Sequence, residues 1–207
     1  MNQYFNMMQR YYIVDDFYAN PDMVRQFALS QEKNEKSDGN YAGIMTKNAF
    51  LTQEHIDVFS TLLNERVSPS TSFTGKFRFT QGHEHHKQDI HFDPGENNCA
   101  WAGVIYMTPN IINTEGTIFW KHKRTGLEEI PRTIEGINKY GWQGVDDLKV
   151  FLETEGTDYS LWEKTFQVPY KYNRLVLFRP WMFHSPGPAF GDSLETARSI
   201  QTLFLSI

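Results

Sequence analysis

The sequence predicts a mainly β domain with N-terminal helices, arranged as a double-stranded β-helix (jelly roll) that those helices back. Three observations carry this reading. From Phe73 onward, apolar residues come in short runs separated by turn residues. Two helical patterns precede them, around a single early strand. No repeat, low-complexity tract or linker divides the 207 residues, so one domain over 1–207 is expected. A composition of 40% hydrophobic and 15% aromatic residues supplies a substantial core and excludes disorder.

Each element has its own signal. Tyr11 to Phe17 reads as the opening strand. Asn20-Pro21 sets a capping Asn before a Pro at the first helical position, starting a helix through about Ser30. Gln31 to Asn40 is a charged loop. A second helix runs from near Thr52 to about Val67, with Ile56, Phe59, Leu62 and Leu63 on one face, and Ser68-Pro69-Ser70 stops it. Strands are expected at Phe73 to Thr80, Asp89 to Asp93, Trp101 to Thr108, Gly116 to His122, Thr165 to Pro169, Leu175 to Phe178 and Arg198 to Ser206. Gly82 to Lys87 reads as a hairpin loop with a solvated His cluster, and Pro94-Gly95 ends the strand before it. The segment from about Lys121 to Tyr172 is glycine-rich, with a short helical run from Val145 to Glu153. It reads as a lid-like insertion over a substrate cleft.

Charge and composition narrow the function. A net charge of −5 without a long basic run leaves no electrostatic footprint for nucleic-acid binding. No apolar run is long enough to span a bilayer, and Met1 to Tyr12 has no signal-peptide core. The lone Cys99 cannot form an internal disulfide; it reads as a packing residue in a protein of the reducing cytoplasm.

The most informative feature is His91-Phe92-Asp93. In an extended strand, positions i and i+2 project from one face, so both side chains reach one ion. Taken alone, the triplet also fits a surface strand with two solvated polar groups. Downstream, Asn173 to Phe178 reads as a turn and a buried strand that delivers Arg179-Pro180-Trp181-Met182-Phe183-His184 at its end. Arg198 then opens the last apolar strand. Two imidazoles and a carboxylate covering one side of a metal form the facial triad of non-haem Fe(II) oxygenases.

With these pieces the chain resembles the 2-oxoglutarate/Fe(II)-dependent oxygenase superfamily, in particular its prolyl-hydroxylase-like branch. The resemblance rests on an ordered set: His91-Phe92-Asp93, the Tyr-bearing strand Gly103 to Met107, an EG(G)T-type turn at Glu115 to Phe119, His184 and Arg198. It covers roughly residues 73 to 207, with a weaker echo at Tyr11 to Phe17. It implies that His91, Asp93 and His184 ligate Fe(II), leaving half of an octahedral shell open for a bidentate 2-oxoacid and dioxygen. It also implies that Arg198 pairs with the distal carboxylate of 2-oxoglutarate and that Tyr106 is a second donor to it. Ile200 stands where many members place Ser or Thr, while Thr202 still shares the face of Arg198. The implied reaction hydroxylates a small-molecule or peptidyl substrate, an amino acid or peptidyl side chain being the first choice, with release of succinate and carbon dioxide.

Other readings compete. His83 and His85 have the spacing of a cupin pair, which with His91 would make a metalloenzyme that needs no 2-oxoglutarate. A non-catalytic jelly-roll binding module is a third reading. His55 and His122 read as surface groups, Tyr106 equally as an ordinary strand aromatic, and Phe119, Trp181 and Phe183 as core residues.

Overall fold

Strand alternation decides the architecture. The computed structural model describes residues 9–34, 41–85, 89–93 and 98–207. In chain order these form β1 (Tyr11–Val14), α1 (Pro21–Ser30), β2 (Ile44–Met45), α2 (Gln53–Leu63), β3 (Ser68–Pro69), β4 (Phe77–Thr80), β5 (Cys99–Tyr106) and β6 (Glu115–His122). There follow α3 (Ile134–Lys139), α4 (Val145–Glu155), a 3-10 turn (Tyr159–Leu161), β7 (Trp162–Pro169), β8 (Leu175–Phe178), β9 (His184–Pro186) and β10 (Arg198–Ser206). One antiparallel sheet has the order β1-β8-β5-β10-β4-β2, with β3 also on β10; a second has the order β7-β6-β9.

Successive side chains of a strand point to opposite faces, so each central strand of the larger sheet feeds two cores. Phe77 and Phe79 of β4, Trp101 and Ile105 of β5, Leu175 and Leu177 of β8, and Leu203 and Leu205 of β10 pack with Val24 and Ala28 of α1 and Ile56, Phe59 and Leu63 of α2. The alternate residues Ala102, Tyr106, Val176, Phe178 and Ile200 turn the other way and meet Phe119 and Val168 of the smaller sheet. Both faces of the larger sheet are thus covered, one by helices and one by a sheet. The cap at Asn20 is the one the sequence signals, with Asn20 accepting from the Met23 N–H; at the second helix, Thr52 accepts from the His55 N–H while the His55 ring accepts from the Thr52 N–H. His55 is therefore half of a capping box.

Several expected boundaries move for local reasons. The second helix ends at Leu63 because Asn64 adopts a left-handed φ of 52°. Ser68-Pro69 pairs with β10 instead of merely stopping a helix. Only Phe77–Thr80 of the expected Phe73 to Thr80 is strand, since Thr71 to Lys76 closes turns through the Thr74 and Lys76 N–H groups. Asp89 to Asp93 is not a strand; its only ladder contact is an isolated bridge from His91 to His184. The expected turn at Pro94-Gly95, and parts of the loops at 31–40 and 82–87, lie outside the described residues. Glu115 to Thr117 is strand with a bulge, not a turn. Among the described residues no helix is long and apolar enough to cross a membrane.

The insertion carries its own core. Leu148, Phe151 and Leu152 of α4 pack with Ile118 and Trp120 of β6, Trp162 of β7, Phe183, and Ile90 and Phe92 beside the His91 motif. Gly156 accepts from the Ile90 N–H at 3.0 Å. His122, expected at the surface, is fully buried in this cluster: its Nε2 meets Glu155 at 2.8 Å, its Nδ1 meets Thr125 at 3.0 Å, and its ring faces Phe151 and Trp162. Burial pushes the imidazole toward its neutral form, and Glu155 opposes this only in part. Lys121 and Lys123 flank a strand residue that points inward, which the local charge pattern hides.

Two outcomes test this packing. Phe151→Ala should lower unfolding free energy by about 3 kcal/mol, whereas Val150→Ala, at a position 59% exposed, should cost no more than about 0.5 kcal/mol; equal losses in urea titrations would show that α4 is not docked. The second concerns Asp15, which accepts from Arg174 at 2.5 Å and Lys171 at 2.8 Å and ties the end of β1 to the start of β8. These bonds, that from Arg174 foremost, lower its carboxyl to about 2. The folded value lies below the unfolded one, so the stabilisation is present above the ordinary carboxylate range and is lost as pH falls toward 2. Asp15→Asn should therefore cost roughly 0.5–1 kcal/mol at pH 7 and progressively less as the medium is acidified, read from paired melting curves.

Candidate metal centre

Three segments distant in sequence meet at one cavity. His91 and His184 face each other as a reciprocal backbone pair: the His91 N–H donates to the His184 carbonyl at 2.9 Å, and the His184 N–H to the His91 carbonyl at 2.8 Å. Their rings lie 4.4 Å apart between centroids. Asp93 is anchored by its N–H to the Pro180 carbonyl at 2.8 Å, and its carboxylate oxygens lie 3.9 Å from His91 Nε2 and 3.3 Å from His184 Nε2. One ligand atom from each of the three falls within 4.8 Å of the other two, and the three are the metal-capable His/Cys/Asp/Glu group among the described residues. All three residues are buried.

The surroundings prepare these side chains as ligands. Each imidazole sets Nδ1 against a carbonyl two residues upstream, Asp89 at 2.9 Å and Met182 at 2.8 Å, which orients the ring and turns Nε2 toward Asp93. Phe178 and Phe119 flank the His184 ring. Burial pushes the Asp93 carboxyl up, but the charge and hydrogen bond of His184, with His91 and the Tyr41 hydroxyl, outweigh it and hold the group below its ordinary value. Tyr41 donates to Asp93 Oδ1 at 3.1 Å and sets its ring edge against His91. Two imidazole nitrogens and a carboxylate oxygen, converging with no fourth ligand among the described residues, suit a divalent transition metal with open positions.

The cavity has a volume of about 350 Å³. Besides the three ligands it is lined by Tyr41, Arg78, Thr117, Ser185 and Arg198, with Val104, Phe178, Ile200 and Phe204 among its apolar walls. Arg198 is only 4% exposed. Its Nη2 donates to the Gly116 carbonyl at 3.0 Å, its Nε is buried without an acceptor, and among the described residues it has no carboxylate partner. Burial alone lowers its affinity for the proton, and Tyr170 and Tyr106 offset this in part. The Gly116 carbonyl also accepts from the Gly187 N–H at 2.7 Å. A Cβ on Gly116 would fall 2.4 Å from the Tyr106 hydroxyl, so only glycine lets the bulged strand pass here.

The remaining sequence candidates fall into place unevenly. Tyr106 is fully buried and is not a lining residue: its hydroxyl bonds the Thr117 hydroxyl at 2.8 Å, and Thr117 stands at the cavity instead. Burial, eased by Thr117 and Arg198, raises the Tyr106 phenol to about 12. Thr202 lines the cavity, but its hydroxyl proton is given to the backbone carbonyls of Phe73 at 2.7 Å and Lys76 at 3.2 Å. His83 and His85 are exposed and do not join the metal-capable group, so the described residues assemble no cupin-type set. Phe119 and Phe183 are core residues, as expected. Trp181 stacks with Arg132 at 4.2 Å. None of the described residues of 121–172 lines the cavity. Of the segment expected to be a lid, the apolar face of α4 packs behind Ile90 and Phe92.

Sequence reasoning missed Tyr41 and Arg78. Tyr41 sits next to a loop with no periodic pattern. Arg78 lies between Phe77 and Phe79, an alternation that ordinarily marks a solvent-facing residue; here that face is the cavity.

Comparison with known proteins agrees with this geometry. Residues 2–188 match the model of a family of unknown function, DUF6445. No curated protein matches the chain. Among solved structures, the fold is similar to the crystal structure of a prolyl-4-hydroxylase from Pseudomonas putida, at 12% identity and a TM-score of 0.52, covering 97% of this chain and 95% of that one. It is also similar to a prolyl hydroxylase from Trichoplax adhaerens in complex with a hypoxia inducible factor oxygen degradation domain peptide, at 9% identity and a TM-score of 0.51, covering 96% and 84%. At such identities the likeness establishes a prolyl-hydroxylase-like fold.

Tyr41→Phe keeps the ring against His91 and removes only the hydroxyl on Asp93. It should weaken Co(II) binding by about 10- to 100-fold, measured by anaerobic titration of the ligand-field bands; an unchanged affinity would show that Tyr41 does not orient the carboxylate.

Proposed function

This chain belongs to DUF6445, a family of unknown function, and we propose that it is an Fe(II)- and 2-oxoglutarate-dependent dioxygenase that hydroxylates a small molecule or peptidyl side chain, releasing succinate and carbon dioxide. The observation that carries the reading is the placement of Arg198: a buried guanidinium without an acid partner among the described residues, in the same cavity as His91, Asp93 and His184. A buried cation left uncompensated is costly, and a carboxylate ligand offers a guanidinium two parallel charge-assisted hydrogen bonds. The two-sheet architecture fits a double-stranded β-helix, and the likeness in fold to prolyl hydroxylases is in keeping with it.

In this reading His91 Nε2, His184 Nε2 and an Asp93 oxygen hold the metal. Bound there with 2-oxoglutarate, Fe(II) supplies oxidation of a substrate C–H bond by dioxygen. The protein's share is positioning. Arg198 binds the far carboxylate of the cosubstrate, and the Gly116 carbonyl aims its guanidinium. Thr117, on the cavity wall, offers a hydroxyl that Tyr106 holds from behind. Tyr41 and the carbonyls of Asp89 and Met182 fix the ligand orientations, and Val104, Phe178, Ile200 and Phe204 limit water. The insertion acts as a buttress: α4 packs on Ile90 and Phe92, and Gly156 holds the Ile90 N–H. A buried lone Cys99 suits the cytoplasm, where Fe(II) stays reduced.

Anaerobic addition of 2-oxoglutarate to the Fe(II)-loaded protein should produce the weak visible charge-transfer band of a bidentate 2-oxoacid chelate. Asp93→Ala should abolish it, and Arg198→Met should weaken 2-oxoglutarate binding by on the order of 2 to 4 kcal/mol. An iron-loaded wild type without the band would remove 2-oxoglutarate from the mechanism.

A further inference from the structure

The cavity holds a second guanidinium that the oxygenase chemistry does not use. Arg78 lies on β4 opposite Ile200, with Arg198 opposite Thr80, which makes the two arginines diagonal neighbours on the inner face of one antiparallel pair. Such neighbours stand roughly 7–8 Å apart, and both line the same cavity. Arg78 Nη1 donates to the Tyr41 and Ala42 carbonyls at 3.3 and 3.2 Å, and the guanidinium lies 5.3 Å from the centroid of the Tyr41 ring. Among the described residues no carboxylate pairs with it, and no acceptor meets its Nε or Nη2. Its partners hold it in place without neutralising it.

Charge accounting gives this residue a purpose. Among the described residues lining the cavity, Asp93 is the one acid and Arg78 and Arg198 are the two strong bases. A divalent metal and two guanidiniums, set against one carboxylate and a dianionic cosubstrate, leave one positive charge uncompensated. Buried charges are paired in stable complexes. Among the described residues nothing supplies the missing negative charge, and an anionic group on the substrate would do so.

We propose that Arg78 recognises an anionic group, a carboxylate or a phosphate, on the molecule that is oxidised, and so positions that molecule beside the metal; this rests on the oxygenase reading above. The consequence for substrate class is direct. An internal peptide residue other than Asp or Glu has no carboxylate of its own, whereas every free amino acid does, and a cavity of about 350 Å³ shared with a cosubstrate suits a small ligand. Tyr41 links the two functions, because its carbonyl holds Arg78 while its hydroxyl holds Asp93. Occupation of the Arg78 site is thus one residue away from the metal.

The test uses the Zn(II)-loaded full chain saturated with 2-oxoglutarate, with binding followed by calorimetry. The probes are free and N-acetylated amino acids, the methyl esters of both sets, and phosphate monoesters. At least one acid should bind with a dissociation constant below about 1 mM, through charge-assisted hydrogen bonds to the half-buried guanidinium, and its methyl ester should bind at least tenfold more weakly. Arg78→Met should erase that preference while 2-oxoglutarate affinity stays within twofold; Arg78→Lys, which keeps the charge without the fork, should retain part of it. Phosphate monoesters outcompeting every carboxylate would identify the anion as phosphate. Equal binding of acids and esters, or no binding by any anion, would overturn the proposal without help from any variant. Loss of 2-oxoglutarate affinity in Arg78→Met would overturn it too, by assigning Arg78 to the cosubstrate. Failure of 2-oxoglutarate to bind the wild type is a separate result and strikes the oxygenase reading itself.

Discussion

The reciprocal hydrogen bonds between the His91 and His184 backbones are the constraint on which the site depends. They join a segment that has no other strand pairing among the described residues to a strand whose position β6 already sets. Two main-chain bonds fix the distance between the two imidazoles, and the carbonyls of Asp89 and Met182 then fix which nitrogen each ring presents. Because the bond partners are backbone groups, the arrangement does not hang on the identity of neighbouring side chains. Asp93 is placed independently, by the Pro180 carbonyl in the connection between β8 and β9. The metal-capable group therefore assembles only when the two sheets have come together.

What surrounds that bridge follows from the need to hold it rigid. On one side the insertion fills a hydrophobic cluster around Ile90 and Phe92, which flank His91 in sequence. On the other, Phe119 and Phe178 crowd the His184 ring. Ligands with buried, well-packed neighbours lose little entropy when an ion binds, which is how a fold converts packing into affinity. The helices α1 and α2 contribute at one remove, by covering the outer face of the sheet whose inner face carries Arg198 and Arg78.

Electrostatics divides the cavity in a way that packing does not. Asp93 is held ionised by its histidines and Tyr41, while both arginines are desolvated and lack acid partners among the described residues. An interior with more positive than negative groups is unfavourable until anions enter it.

Much of this was legible in the sequence, for identifiable reasons. Strand alternation and helix caps depend on residues close together along the chain, so the helix starts at Pro21 and near Thr52, the mainly β character and most strand positions could be read directly. His91, Asp93, His184 and Arg198 could be singled out because their residue types and order carry chemistry of their own. Tertiary structure decided the rest. It made 89–93 a bridged segment instead of a strand, because its partner is the distant His184 and not an adjacent run. It turned His122 inward between two lysines and gave the insertion a core to join. It also put Tyr106 behind Thr117 and set Arg78 on a cavity wall. The common physical reason is that alternation tells which residues share a face, while only the packing of one sheet against another decides whether that face meets core, cavity or water.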